Sequence, residues 1–237
     1  MFEVIGAIGA TTAYALLIGV LVGFSPADAR IKFTALMAAM LWGSLIVVLA
    51  ASGAFSPDTT GPIPGPILAF AALMVLLFGS WFMWPGFRSS LLSVPIWALV
   101  GLHIARIGGV FFLILTTAGR LSAPFGPSAG WGDIIVGVIA IPLAVLAAIG
   151  LVYPAVIRIW NALGVLDLIV AISLGALSSP GTPFRVFTEG PGTLAMTTLP
   201  WIMIPAMLVP FYLLVHATIE VKLRELRAHR VEARRAA

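Results

Sequence analysis

The stretch that decides the fold is LLSVPIWALVGLHIARIGGVFFLILTT, residues 91–117. Its two ionisable side chains are His103 and Arg106, in an otherwise apolar run. A helix needs about 20 apolar residues to cross a hydrocarbon core roughly 30 Å thick, so this run is long enough to span a membrane. Because residues three apart share a helical face, His103 and Arg106 are expected on one side of that helix, at lipid depth.

The composition of the whole chain agrees with this interpretation. Of its 237 residues, 61% are hydrophobic and 9% charged, against about 25% charged in soluble domains. The sequence therefore predicts an integral membrane protein. It contains no cysteine, which excludes disulfides, thiolate metal sites, iron–sulfur clusters and catalytic thiols. The net charge of +4 comes largely from the C-terminal residues, which favours contact with anionic lipid headgroups over nucleic acid.

Seven apolar runs predict an all-α, polytopic bundle of about seven transmembrane helices. The runs are 4–24, 33–55, 67–84, 91–117, 132–153, 155–177 and 199–219. Segments rich in Gly, Pro and Ser at 56–66, 85–90, 119–131 and 178–193 predict loops. Ser25 is the expected N-cap of the second helix. The fifth and sixth runs are separated only by YPAVIR, residues 153–158, so a single bent re-entrant hairpin is the alternative there.

The distribution of Lys and Arg predicts the orientation. With the N-terminus outside, the opposite side of the bilayer holds two basic residues, Arg120 and Arg185. The cytoplasmic segments hold ten: Arg30, Lys32, Arg88, Arg158, Lys222, Arg224, Arg227, Arg230, Arg234 and Arg235. Basic residues concentrate in cytoplasmic loops, so we expect the N-terminus outside and the C-terminus in the cytoplasm.

The domain organisation predicted from these features is simple. Residues 1–219 form one seven-helix transmembrane domain, and residues 220–237 form a basic cytoplasmic tail that starts as a helix. The first residues, MFEVIG, lack the basic region of a signal peptide, so no cleavage is expected. Richness in Ala, Gly and Val with compact loops suits a multi-pass protein of a bacterial inner membrane.

The helical rise per residue gives the expected depth in the membrane of the polar residues within the apolar runs. His103, Arg106 and Asp167 are expected ~18, ~22 and ~18 Å from the inner boundary. A lone charge at the bilayer centre costs at least ~2.5 to 3.5 kcal/mol, so Arg106 and Asp167 are predicted to pair inside the bundle, with His103 in the same cluster. The alternative is a structural clamp without further function, because a buried ion pair is weak evidence for more than specificity.

The seventh helix carries a second polar set. Tyr212, His216 and Glu220 recur every four residues and so form a stripe on one face, which with Asn161 is expected to line the inner mouth of a path. Pro205 and Pro210 on the same helix free backbone carbonyls. Asp133, at the expected start of the fifth helix, completes the candidate residues, although a helix-start role is favoured for it.

Motifs for cofactors and catalysis give little. The sequence has no P-loop, no G-x-S-x-G, no H-E-x-x-H and no dinucleotide fingerprint, so no catalytic residue is assigned and an enzyme is not favoured. His103 and His216 are weak candidates for metal or haem ligands. Their expected depths differ by roughly 14 Å, which argues against both binding one iron, so no cofactor is predicted and haem held by one histidine stays an alternative.

Three functional hypotheses follow. The first is a bundle that binds or conducts a small solute, a proton or an anion, along a path of His103, Arg106, Asp167, Asn161, Tyr212, His216, Glu220 and Asp133. The second is a non-catalytic subunit or assembly factor that docks a membrane-protein partner, or a homo-oligomer, with its polar groups fastening helices. The third is a haem-binding redox protein.

Overall fold

The computed structural model describes the backbone of residues 1–236 and the side chains of residues 1–228. Within that part the chain is all-helical, and seven helices are long and apolar enough to cross a membrane. They are α1 (Phe2–Gly23), α2 (Ala29–Ala51), α3 (Gly65–Met83), α4 (Ile96–Thr117), α5 (Phe125–Ala148), α6 (Pro154–Leu177) and α7 (Ile204–Ala228). The predicted fold class and helix count are confirmed, and the fifth and sixth runs are separate helices. The protein is therefore a multi-pass integral membrane protein.

The helix of α7 continues to Ala236, beyond the apolar part of the sequence. Arg224 and Arg227 are exposed on this continuation. The side chains of Arg230, Arg234 and Arg235, on which part of the predicted tail depends, lie outside the described residues.

Several predicted boundaries are wrong. Segment 85–90 is not a loop but lies in a short helix, Pro85–Ser93, with proline at its first position, where the missing N–H costs nothing. Helix α2 is capped by Asp28, which accepts a hydrogen bond from the Ile31 N–H at 2.9 Å, and not by Ser25. The loop predicted at 178–193 contains no helix or strand and is confirmed.

The start of α5 corrects the position of Asp133. The Gly- and Pro-rich segment 119–131 predicted a loop, yet the helix begins at Phe125. Glycine is tolerated in membrane helices because the backbone must satisfy its own hydrogen bonds in lipid. Asp133 therefore lies in the third turn of α5, and the helix-start interpretation of this residue is wrong.

The start of α7 is also later than predicted. Residues 194–197 form a 3₁₀ turn, and a π-helical turn, Ile204–Leu208, precedes the regular helix from Val209. The predicted start at residue 199 is wrong because the segment with Pro200 and Pro205 folds as turns. The shift of five residues moves His216 from the inner end of the span toward its middle.

A tryptophan on α2 supplies the hydrogen bond that a proline in α7 removes. In a regular helix the Ala206 carbonyl would accept from residue 210, but Pro210 has no N–H. Trp42 Nε1 donates to that carbonyl instead, at 2.9 Å. Helix α1 is joined to α2 in turn by Tyr14, whose hydroxyl donates to the Ala39 carbonyl at 2.8 Å. The two N-terminal helices are thus fastened to the π-helical start of α7.

Replacing this donor tests its contribution. We expect Trp42→Phe to lower the free energy of unfolding by about 0.5–1.5 kcal/mol, because it leaves a buried carbonyl without a donor. Trp131→Phe, at a residue 58% exposed on α5, is the matched control and should leave stability unchanged. Unfolding of both variants in nanodiscs, followed by circular dichroism, measures the difference, and equal stabilities would contradict the role given to Trp42.

The orientation remains a prediction that the cysteine-free chain makes easy to test. Asp58, in the segment between α2 and α3, and Ser89, in the segment between α3 and α4, are both exposed. With the N-terminus outside, Asp58→Cys should react with an impermeant maleimide on intact cells, and Ser89→Cys only after permeabilisation. The reverse pattern would place the N-terminus in the cytoplasm.

Candidate functional site

Arg106 is bound by two carboxylates from two other helices. Its Nε donates to Asp133 Oδ1 on α5 at 2.7 Å, and its Nη2 pairs with Asp167 Oδ2 on α6. The predicted pairing of Arg106 with Asp167 is confirmed, and Asp133 is a second partner that the sequence did not assign to it. By helical rise Arg106 lies ~15 Å and Asp167 ~20 Å from the start of its helix, so the ion cluster occupies the middle of the membrane span.

A 3₁₀ segment inside α4, His103–Gly109, presents the arginine to its partners. A 3₁₀ helix has three residues per turn, so His103, Arg106 and Gly109 stand in one row, and all three are buried. A β-carbon at Gly109 would lie 2.6 Å from the β-carbon of Asp133 and 2.7 Å from the Gly130 carbonyl oxygen. Only glycine at this position allows α4 and α5 to approach closely enough for the short Asp133 side chain to reach Arg106.

Gly19 and Gly23 form a G-x-x-x-G motif in α1, a pattern that permits close helix approach, but they make no close contact with the described residues of other helices. Neither Gly19 nor Gly23 has another residue within 4 Å of its would-be β-carbon. On α5, by contrast, a β-carbon at Gly130 would meet Leu113 and one at Gly137 the Ile107 backbone. Small residues in membrane helices permit such close approach, and here they hold α4 against α5.

His216 extends the cluster to α7. Its Nε2 lies 3.2 Å from Arg106 Nη1 and its Nδ1 2.8 Å from Asn161 Oδ1. Since arginine can only donate, Nε2 is the acceptor, and Nδ1–H donates to the Asn161 oxygen. Asn161 Nδ2 in turn donates to the His216 carbonyl at 3.2 Å. This arrangement suits a neutral imidazole with its proton on Nδ1.

His103 occupies an aromatic enclosure beside the ions. Its ring lies 4.1 Å from that of His216 and 5.2 Å from those of Trp160 and Tyr212, measured between centroids. The residue is fully buried, and neither ring nitrogen has a hydrogen-bond partner among the residues that the structure describes. Trp160, which sequence reasoning did not include, is held by donation from its Nε1 to the Val136 carbonyl at 3.0 Å. The sequence feature that indicates a role for Trp160 is its position directly before Asn161 in an apolar span.

The structure therefore brings together seven of the eight candidate residues. They are His103, Arg106, Asp133, Asn161, Asp167, Tyr212 and His216. Glu220 is apart, in an ion pair with Arg158 at 3.3 Å and another with Arg224 at 2.7 Å. Tyr212, expected at an inner mouth with Asn161, belongs to the central cluster because α7 begins later than predicted. Asn161, on α6, joins the cluster through its hydrogen bonds with His216.

The predicted separation of the two histidines is wrong. Depth arithmetic from two wrong helix starts, 91 instead of 96 for α4 and 199 instead of 204 for α7, placed them roughly 14 Å apart in level, whereas their rings are in contact. The contact itself speaks against a shared haem, since a porphyrin cannot fit between rings 4.1 Å apart. Among the residues that the structure describes, no group of three or more His, Asp or Glu side chains is placed to hold a metal ion.

Access to the three charges is unequal. The Arg106 side chain is 1% exposed, but those of Asp133 and Asp167 keep 16% and 14%. Asp133 also lines an apolar cavity of about 80 Å³ between α3 and α7. The carboxylates can therefore be reached from outside the cluster while the guanidinium is sealed within it.

A glycine on α6 tests the packing of the cluster. A β-carbon at Gly164 would lie 2.8 Å from His216 Nε2, so Gly164→Ala should displace the imidazole and destabilise the fold by about 1–3 kcal/mol. Gly19→Ala, at an exposed position of α1 with open space, is the control and should be neutral or stabilising by up to about 1 kcal/mol. Thermal unfolding of both variants in nanodiscs measures this, and a neutral Gly164→Ala would show that the imidazole is not fixed.

Comparison with known proteins adds a family. No curated protein and no solved structure matches the chain. One family model matches residues 63–224, which is more than half of the sequence and includes every residue of the cluster. The chain belongs to the family described as Domain of unknown function (DUF8737).

Proposed function

We propose that this membrane protein binds a small cation, the proton first, at the Arg106 cluster and conducts it through the bundle. One observation carries the proposal: a single guanidinium is bound by two carboxylates in the middle of the membrane span. With both histidines neutral and both carboxylates ionised, the formal charge of the group is −1.

The sign of this charge selects the solute. An unbalanced charge in the membrane core costs several kcal/mol, so the group favours uptake of one positive charge. A proton on a carboxylate meets this need, and so does a bound cation. A bound anion would increase the net negative charge of the cluster. The second carboxylate therefore argues against an anion as the solute, an alternative that the sequence left open when Arg106 had a single predicted partner.

Each residue has a role in this proposal. Arg106 supplies the fixed positive charge, and Asp133 and Asp167 take up and release the mobile one. His103 adds a group that ordinarily exchanges protons near neutral pH, with both ring nitrogens unpartnered. Glu220 lies one helical turn beyond His216 on α7, where it would continue the path toward the C-terminal end of that helix.

The setting of the protein is part of the proposal. Its short loops and its richness in Ala, Gly and Val suit a bacterial inner membrane. Arg224 and Arg227, exposed on the extension of α7, are placed to meet anionic lipid headgroups if the C-terminus is cytoplasmic.

Proton flux into proteoliposomes, reported by a trapped pH-sensitive dye, tests the proposal. Asp133→Asn and Asp167→Asn should each reduce flux to the level of protein-free vesicles, because one carboxylate then balances Arg106 and no charge is left for a proton. Glu3→Gln is the control, since Glu3 pairs with Arg120 at the start of α1, outside the cluster, and should not alter flux.

The contradicting result is equally clear. If the folded wild-type protein passes neither protons, sodium nor potassium faster than empty vesicles, conduction fails. The cluster would then serve to fasten helices, as in a subunit that docks another membrane protein.

A further inference from the structure

A cavity beside the Arg106 cluster is lined by apolar side chains and by the carboxylate of Asp133. Residues of helices α3 to α7 line a partly open cavity of about 80 Å³, and the lining is almost entirely carbon. Its larger side chains are Phe70, Phe112, Phe125, Leu168 and Ile172. Ser179 and Thr193, from the segment that joins α6 to α7, also line the cavity.

Asp133 is the charged residue of this lining. Its Oδ1 accepts the hydrogen bond from Arg106 Nε, and its side chain keeps 16% exposure. A carboxylate has about four acceptor sites, so Asp133 can accept a further hydrogen bond from a molecule in the cavity. The cavity and the ion cluster thus share Asp133, and a molecule in the cavity can reach the accessible carboxylate of that residue.

We propose that this cavity binds a lipophilic organic monocation, a protonated amine on an apolar body, with Asp133 as its acceptor. The inference rests on the proposed function in one respect, the formal charge of −1 on the cluster. An ammonium supplies the missing charge, and the apolar body is removed from water against the carbon walls. The rings of Phe70, Phe112 and Phe125 add π-faces, which attract cations.

Other ligand classes fit less well. A carboxylate or phosphate would meet Asp133 with like charge. A hard metal cation requires several oxygen ligands, and the walls next to Asp133 are carbon. A neutral apolar molecule, or a lipid chain, would not balance the charge of the cluster. The experiment is designed to distinguish such a ligand from an amine.

Photolabelling distinguishes these ligands. The probe is a primary alkylamine that carries a diazirine, and its comparison is the alcohol with the same chain. Both are applied to the full-length protein in nanodiscs, and labelled peptides are mapped by mass spectrometry. We expect the amine to label the cavity walls of α5 and α6 at least about tenfold more than the alcohol, since a hydrogen bond to an ionised group favours the amine by about that factor.

Four variants test whether the preference for the amine over the alcohol depends on Asp133 and on the cavity. Asp133→Asn should reduce amine labelling to the level of the alcohol, and Asp133→Glu, which keeps the carboxylate, should retain the preference. Ala171→Trp, which fills the cavity from α6, should reduce labelling by both probes. Glu225→Gln removes an exposed carboxylate about 24 Å along α7 from Val209, the last residue of that helix in the cavity lining, and should change nothing. Equal labelling by amine and alcohol in the wild type, or a preference that survives Asp133→Asn, would overturn the inference.

This test fails separately from the test of conduction. Proton flux that depends on Asp133, together with equal labelling by amine and alcohol, would overturn the amine site and leave conduction standing. A preference for the amine that depends on Asp133, without any proton flux, would support the site and overturn conduction.

Discussion

A guanidinium that cannot lose its proton, held where lipid would otherwise surround it, is the constraint on which this structure depends. Arg106 must keep its partners, because each one lost would expose a charge to a medium that does not solvate it. Those partners come from three different helices: Asp133 from α5, Asp167 from α6 and His216 from α7. One side chain on α4 therefore fixes the mutual position of four helices at mid-membrane.

The backbone is adapted to this requirement. Asparagine and aspartate side chains are short, so the helices that carry them must approach closely, and glycine lies at the contacts. Gly109 and Gly130 face each other where α4 meets α5, and Gly164 leaves room for the His216 ring. The 3₁₀ segment His103–Gly109 aligns three buried residues in one row, which a regular α-helix would spread around its axis. Local departures from regular helix thus coincide with the site.

The sequence predicts what depends on hydrophobicity and on single-helix geometry. The count of spans follows from apolar length, and the Arg106–Asp167 pair follows from two charges at one depth. It does not predict what depends on where a helix begins. The Gly- and Pro-rich start of α5 resembles a loop in composition, so Asp133 was assigned to a helix start. The prolines before Val209 resemble a helix start, so His216 was placed too far from His103. Depth arithmetic carries an error of 1.5 Å for every residue by which a boundary is wrong.

The family match divides the molecule in a way that bears on the site. Residues 63–224 comprise α3 to α7 up to the end of the apolar span, and they contain every residue of the Arg106 cluster and every lining residue of the cavity. Helices α1 and α2 lie outside this region, and they contact α7 through the Trp42 hydrogen bond to the Ala206 carbonyl and through the packing of Tyr14 against Phe211. The residues of the charge cluster and of the cavity lining thus come from these five helices and the segments between them. The N-terminal pair instead packs against the π-helical start of α7, where Pro210 cannot donate to the Ala206 carbonyl, and so supports the helix that brings His216 to Arg106.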